Sequence, residues 1–281
     1  MVIAVAGATG HLGRHVIEAL LAKGVPASDI VGVGRQVDKI ADLGITVRQA
    51  SYDDPDSLKA AFAGADKLLL ISGSEVGQRV PQHTNVIEAA KEAGVGLVVY
   101  TSGPKADTSD MKLMGEHLAT ERLLGQSGLP HVIVRNNWYF ENYDVQQAIE
   151  HGLFGAAGDG KIGIASRADY AEAAAAVLIG EGHEGRVYEL AGPPVTLAEL
   201  AAEISRHSGK PVAYNNLGED DFRAMLVNVG LPEPVAATLA DADRAASNGA
   251  LDVPPTHLTT LLGRPATPLA DLIRASLSEK D

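Results

Sequence analysis

The chain has no cysteine among its 281 residues, which excludes disulfides, thiolate metal sites and a cysteine nucleophile. Cations are scarce: 23 lysines and arginines face 36 aspartates and glutamates, a formal net charge of −13. Both nucleic acid and anionic membrane surfaces require clustered cations, so neither is an expected partner. Long hydrophobic runs are missing too. The stretch from Ala173 to Gly180 is far below bilayer-spanning length and follows Glu172. No basic segment precedes the N-terminal apolar run, which therefore reads as a strand and not as a secretory leader. A cytoplasmic location is the expectation. Aromatic residues make up only 4% of the chain, so any local cluster of them is informative. At 46% hydrophobic residues the chain has enough apolar material for a large core and is not mainly disordered.

What is present begins at once. Val2 to Ala6 is an apolar run of strand length that leads into Gly7-Ala8-Thr9-Gly10-His11-Leu12-Gly13, and a helical apolar pattern follows through Leu12, Val16, Ala19 and Leu20. A strand, a glycine turn and a helix in that order form a phosphate-binding arrangement. Gly7 permits the tight turn, Gly10 lets a pyrophosphate approach bare backbone, and Gly13 lets the helix pack closely on the strand. The helix N-terminus adds free N–H groups and a partial positive charge.

Short apolar runs then alternate with helical patterns. Strands are expected at 2–6, 30–33, 45–48, 67–71, 97–100 and 131–134, with helices at 11–23, 55–63, 80–93 and 111–125. Asp54-Pro55 reads as an N-cap followed by proline at the first helical position. Such alternation implies βαβ units in an α/β fold with a doubly wound, parallel, Rossmann-type sheet. Residues 1–134 are expected to form the dinucleotide-binding domain. Residues 135–281 are expected to form a smaller, mostly helical substrate-binding cap over the carboxyl edge of the sheet, with one or two segments near 160–190 returning to the sheet. Within the second part, 137–150 and 167–179 are read as helices and 186–190 as a strand.

The end of the second strand selects the cofactor. A carboxylate there binds the 2′-hydroxyl of NAD, whereas an arginine suits the 2′-phosphate of NADP. This strand ends Val31-Gly32-Val33-Gly34-Arg35, and no acid follows until Asp38. The planar guanidinium fork of Arg35 matches a phosphate, so NADP(H) is favoured over NAD(H).

Gly7–Gly13, Arg35 and the run of βα units together resemble the extended and atypical short-chain dehydrogenase/reductases, and within them the NmrA-like branch. The resemblance spans nearly the whole chain. It includes Val25-Pro26-Ala27-Ser28, Lys67 to Ser72, Glu75-Val76-Gly77-Gln78-Arg79, Arg135-Asn136-Asn137-Trp138-Tyr139, Glu141-Asn142-Tyr143, Ala156 to Lys161 and Arg167-Ala168-Asp169-Tyr170. These segments look like those of the bacterial quinone-reducing members, with the triphenylmethane dye reductases close by. The resemblance implies a set of roles. Gly7, Ala8, Thr9, Gly10, His11, Leu12 and Gly13 would hold the pyrophosphate and Arg35 the 2′-phosphate. Ile71, Ser72 and Gly73 would pass beside the adenine-side ribose or the pyrophosphate, and Thr101 and Ser102 would sit near the nicotinamide. Asn136 to Asn142 would line the nicotinamide and substrate end, and Arg167 would reach the cofactor or hold the cap. One departure stands out. The family commonly places an aspartate ahead of an aromatic residue after the third strand, where it accepts from the adenine amino group. Here Ser51 precedes Tyr52, and the acids come later, at Asp53 and Asp54.

Ordinary members of that superfamily reduce carbonyls with a Tyr-x-x-x-Lys pair. None of Tyr52, Tyr100, Tyr139, Tyr143, Tyr170, Tyr188 and Tyr214 has lysine four residues on. Hydride addition to a ketone makes an alkoxide whose conjugate acid lies near ~16. Addition to a quinone makes a phenolate near ~10, a difference of roughly 6 units or about 8 kcal/mol. The missing acid therefore fits an electron-poor conjugated acceptor, with hydride delivered mainly by proximity and exclusion of water. Trp138, Tyr139 and Phe140 offer flat apolar surface for a planar acceptor such as a quinone, with Asn137 beside them. Tyr139, Tyr100 or water could give the final proton, and Tyr100 is also a candidate substrate contact.

Other patterns read as structural. His117 and Glu121 share a helix face, more simply as a structural pair than as a proton relay. His11 and His15 repeat that spacing without a third ligand, so no metal site is expected. Two further functions stay open: a non-catalytic NADP(H)-binding redox sensor acting through a protein partner, and a reductase of a cationic dye or activated alkene. Related folds are monomers or homodimers.

Overall fold

The computed structural model describes residues 1–75 and 77–278. Its main sheet has seven strands: β1 (Ile3–Ala6), β2 (Ile30–Gly34), β3 (Thr46–Gln49), β4 (Lys67–Leu70), β5 (Leu97–Ser102), β6 (His131–Asn136) and β9 (Val187–Leu190). They lie in the order β3-β2-β1-β4-β5-β6-β9. The ladders from β3 through β6 are parallel. The sequences explain this. Ile-Ala-Val-Ala in β1 and Leu-Val-Val-Tyr-Thr-Ser in β5 are buried at every position, as strands covered on both faces must be. Helices α1 (His11–Ala22), α2 (Pro55–Phe62), α3 (Arg79–Glu92), α4 (Lys112–Ser127) and α6 (Arg167–Ile179) connect them. α1 turns Leu12, Val16, Ile17 and Leu20 inward and packs on α6. α2 starts as its sequence demands, with Asp54 accepting from the Ser57 N–H at 3.2 Å and Pro55 following.

Two compact units result. The first comprises residues 1–103, 116–136 and 167–188; the second comprises 104–115, 137–166 and 189 onward. The chain thus crosses between units more often than a break at 134 implies. The second unit holds two small sheets. One pairs β7 (Leu153–Gly155) with β11 (Tyr214–Asn216) in parallel, and the other pairs β8 (Ile162–Gly163) with β10 (Pro194–Val195) antiparallel. It also carries α5 (Val145–His151), α7 (Leu197–Ser208), α8 (Glu219–Asn228), α9 (Glu233–Ser247), α10 (Thr256–Leu262) and α11 (Leu269–Ser278). α7 opens with a full capping box from Thr196 and Glu199. Among the described residues no helix is long and apolar enough to cross a membrane.

The expected helix at 137–150 is corrected. Phe140 N–H donates to the Ala165 carbonyl at 2.9 Å and Ala165 N–H to the Trp138 carbonyl at 3.2 Å, so Tyr139 forms a β-bridge with Ala165. A single 3-10 turn, Phe140–Asn142, follows. α5 begins only at Val145, where the Asp144 carboxylate accepts from the N–H groups of Gln146 and Gln147. The bridge holds Tyr139 in extended backbone, and the Trp138 carbonyl that a helix from 137 would give to Asn142 N–H accepts from Ala165 instead.

Candidate cofactor and acceptor sites

In the first unit Ala6, the last residue of β1, stands beside Val33 and Leu70. Gly7 and Ile71 therefore leave the sheet side by side at β1 and β4, where the strand order reverses, and Gly34 ends β2 next to them. That switch point is where open α/β sheets bind ligands. Gly7 turns the chain with φ of 83°, and the N–H groups of Gly7 and Ala8 both donate to the Val33 carbonyl, at 3.1 and 3.0 Å. Gly10 caps α1 with no side chain, its own N–H donating to the Gly7 carbonyl at 3.1 Å. The first-turn N–H groups of His11, Leu12 and Gly13 have no acceptor within the helix, and the turn holds no acid. The turn and its neighbours are closely packed. A Cβ on Gly13 would lie 2.3 Å from the Gly7 carbonyl oxygen, and one on Gly34 would lie 2.7 Å from the Thr9 side chain. Bare backbone, free donors and a helix N-terminus fit a pyrophosphate.

Arg35 follows β2 with its side chain 67% exposed. Its Nη1 donates to Glu75 Oε1 at 3.0 Å. The loop after β4 that carries Glu75 is fixed from α3. Arg79 Nε donates to the Gly73 carbonyl at 3.0 Å, and Gly73 N–H donates to His83 Nε2 at 3.0 Å. Glu116 accepts from Gly77 N–H at 2.7 Å and from Arg79 Nη1 at 2.5 Å. His83 is fully buried, and burial, with the Arg79 charge in support, pushes its pKa down to about 3. As Nε2 accepts, the ring proton sits on Nδ1 and donates to Thr120 Oγ1 at 2.9 Å. Val76, within the same motif, lies outside the described residues. Ser51 donates its hydroxyl to Asp53 at 3.2 Å, and the Tyr52 hydroxyl donates to the Ile71 carbonyl at 2.9 Å.

At the ends of β4 and β5, Ser72 N–H donates to Thr101 Oγ1 at 2.9 Å. The Ser102 hydroxyl donates to Glu121 at 2.6 Å, and Glu121 accepts a two-pronged bond from buried Arg135 at 2.9 and 2.7 Å. Tyr100 belongs to the core: it is fully buried and hydrogen-bonded to His117 Nδ1 at 2.8 Å. Burial raises the Tyr100 pKa and holds that of His117 well below its ordinary value. His117 and Glu121, neighbours on one helix, bond to different partners. Arg167 is half-buried at the start of α6.

In the second unit Asn137 is buried, donates from Nδ2 to the Leu251 carbonyl at 3.0 Å, and leaves Oδ1 buried without a partner. Trp138 and Tyr139 are half-buried, Phe140 is buried and Asn142 is exposed. The Tyr143 hydroxyl is held well above its ordinary pKa by burial and then by Asp243. Asp243 itself is raised to about 6 by burial, against a 2.7 Å hydrogen bond from Ala156 N–H.

Glu75, Gln82 and His83 have no role among the sequence-based expectations. A signal was available: Arg79, Gln82, His83 and Val86 fall on one buried helix face, and three of those four are polar.

Comparison with known proteins agrees with this architecture. The sequence pattern of the NmrA-like family matches residues 1–254. Quinone oxidoreductase 2 of Escherichia coli is 54% identical over 278 residues, covering 96% of this chain and 97% of that protein. The crystal structure of the NADPH-dependent quinone oxidoreductase from Escherichia coli complexed with NADPH superposes with a TM-score of 0.95 at 53% identity, over 98% of this chain and 100% of that one. The triphenylmethane reductase of Citrobacter sp. complexed with NADP(H) gives 0.92 at 38% identity, over 98% and 99%. The chain belongs to the NmrA-like family.

Proposed function

We propose that this oxidoreductase uses NADP(H) and passes hydride to a quinone or a similar electron-poor conjugated acceptor. One observation carries the reading: an exposed guanidinium, Arg35, stands at the end of β2 beside a glycine turn packed so closely on its helix that Gly13 has no room for a side chain. The likeness to Quinone oxidoreductase 2 supports the acceptor class. The N–H groups of residues 7–13 hold the pyrophosphate and Arg35 the 2′-phosphate. Ile71, Ser72 and Gly73 flank the adenine-side ribose or the pyrophosphate, and Arg167 completes the set on this unit. Thr101 fixes the Ser72 backbone, and Ser102, its hydroxyl committed to Glu121, stiffens the end of β5.

Once held, the reduced nicotinamide supplies hydride. The protein then has little acid–base work to do. No tyrosine has a lysine four residues on, and the Tyr100 hydroxyl is occupied by His117 inside the core. A phenolate product tolerates that lack; an alkoxide does not. Trp138 and Tyr139 give the acceptor ring its flat surface and Phe140 backs them from the core. Asn137 anchors this segment to Leu251, and Tyr139 or water donates the last proton. The 38% likeness to a triphenylmethane reductase makes a cationic dye the second reading.

The test mixes the protein with NADPH and a small benzoquinone or naphthoquinone and follows the reduced-nicotinamide absorbance. Rapid protein-dependent oxidation, reduced at least tenfold in Arg35→Glu at limiting NADPH, is the expected result. Tight NADP(H) binding with no oxidation of any quinone would overturn it. Turnover with a triphenylmethane dye alone would then favour the dye, and no turnover at all a redox sensor.

A further inference from the structure

We propose that Glu75 sets how strongly the chain prefers a 2′-phosphorylated dinucleotide, by occupying the Arg35 guanidinium until a phosphate takes it. This rests on the reading of Arg35 given above. Glu75 is 40 residues from Arg35 in sequence, yet its Oε1 accepts from Arg35 Nη1 at 3.0 Å. The carboxylate is presented by a built support and is no stray surface group. Its Oε2 accepts from Gln82 Nε2 at 3.2 Å. Gln82 is only 4% exposed, and its Nε2 also donates to Asp53 Oδ1 at 3.1 Å. Gly73 on one side of Glu75 and Gly77 on the other are tied to His83, Arg79 and Glu116. One buried amide thus holds two carboxylates at the edge where one guanidinium stands.

The charge balance decides the consequence. Arg35 brings one positive charge; Glu75 and Asp53 bring two negative ones. A phosphate monoester arrives with close to two negative charges, so it must take the guanidinium from Glu75 and then sit near a carboxylate. The Arg35–Glu75 pair is exposed on both sides, at 67% and 45%, and such pairs are weak enough to open. Glu75 keeps its bond to Gln82 when it lets go. A dinucleotide with a free 2′-hydroxyl needs no cation, and a carboxylate can accept from that hydroxyl. Glu75 therefore works against NADPH and not against NADH, which lowers the discrimination Arg35 alone would give.

The experiment is a fluorescence titration of NADPH and NADH into wild type, Glu75→Gln and Arg35→Gln at low ionic strength, without acceptor. Gln at 75 keeps the shape and an oxygen for Gln82. The expected Glu75→Gln result is NADPH bound about three- to tenfold tighter, NADH changed less than twofold, and the NADPH gain shrinking in added salt. Unchanged or weaker NADPH binding, or equal tightening of both nucleotides, overturns the proposal. Arg35→Gln separates the two readings. It should weaken NADPH at least tenfold and leave NADH within twofold. If it does not, the Arg35 assignment is wrong and the Glu75 proposal fails with it.

Discussion

The dinucleotide edge proposed for the first unit rests on local backbone. Gly7, Gly10, Gly13 and Gly34 lie within 28 residues of one another, and at Gly13 the helix meets the turn too closely for any side chain. The aromatic segment of the second unit, 137–143, is made of side chains held from far along the chain. Asn137 hangs on Leu251, 114 residues away, and the backbone around Trp138 and Phe140 is paired with Ala165. A site built on one turn is written in adjacent residues. A site built on distant contacts depends on the whole unit, and substitutions remote in sequence should disturb it.

The largest expected effect tests the first half of that contrast. Gly13→Val places carbon 2.3 Å from the Gly7 oxygen and 2.6 Å from Ala8 Cα, with backbone on both sides and nothing able to yield. We expect a loss of about 3 kcal/mol in urea unfolding, as for severe overpacking. NADPH affinity should fall more than a hundredfold in the part that still folds. Retention of tight binding would show that the glycine turn does not form the phosphate site.

The counterpart in the second unit is Gly192, where a Cβ would lie 1.9 Å from the Ile164 carbonyl, one residue before the Ala165 that pairs with the aromatic segment. Gly192→Ala should cost about 2 kcal/mol. It should raise the quinone KM several-fold while NADPH dissociation, measured by titration, stays within twofold. If NADPH binding falls in step with the acceptor KM, the two functions are not divided between the units.

The same contrast explains what the sequence revealed. Strand, glycine turn and helix were legible at 2–22 because each requirement is local: an apolar run, a φ only glycine adopts readily, a close approach. Arg35 was legible because its place follows from the end of β2. The helix expected at 137–150 was not, because only the bridge to Ala165, more than twenty residues on, shows that Tyr139 runs as extended backbone. Glu75 carried a motif without a role, because the partner that gives it meaning is 40 residues away.

The smallest effect is also the one in which the units oppose each other in sign. His83 and His117, in the first unit, have native pKa values depressed by burial, to about 3 for His83. Below pH 6.5 the unfolded chain takes up protons that the native state refuses, so their contribution is full above 6.5 and is lost as pH falls. Asp243, in the second unit, is raised from 3.8 to about 6. Its native form keeps a proton that the unfolded chain releases, so its contribution is full below 3.8 and is lost as pH rises through about 6. Between pH 4.5 and 5.5 acid favours the unfolded chain through both histidines and the native one through the single aspartate, so stability falls as pH falls. Urea midpoints at pH 6.5, 5.5 and 4.5 measure it. Asp243→Asn should steepen that fall, and His83→Gln, which keeps an acceptor for Gly73 N–H, should flatten it. Where the units unfold in separate steps, acid should move the first to lower urea and the second to higher. An Asp243→Asn slope equal to wild type would mean that this carboxyl is ionised in the folded protein, and the opposition between the units would disappear.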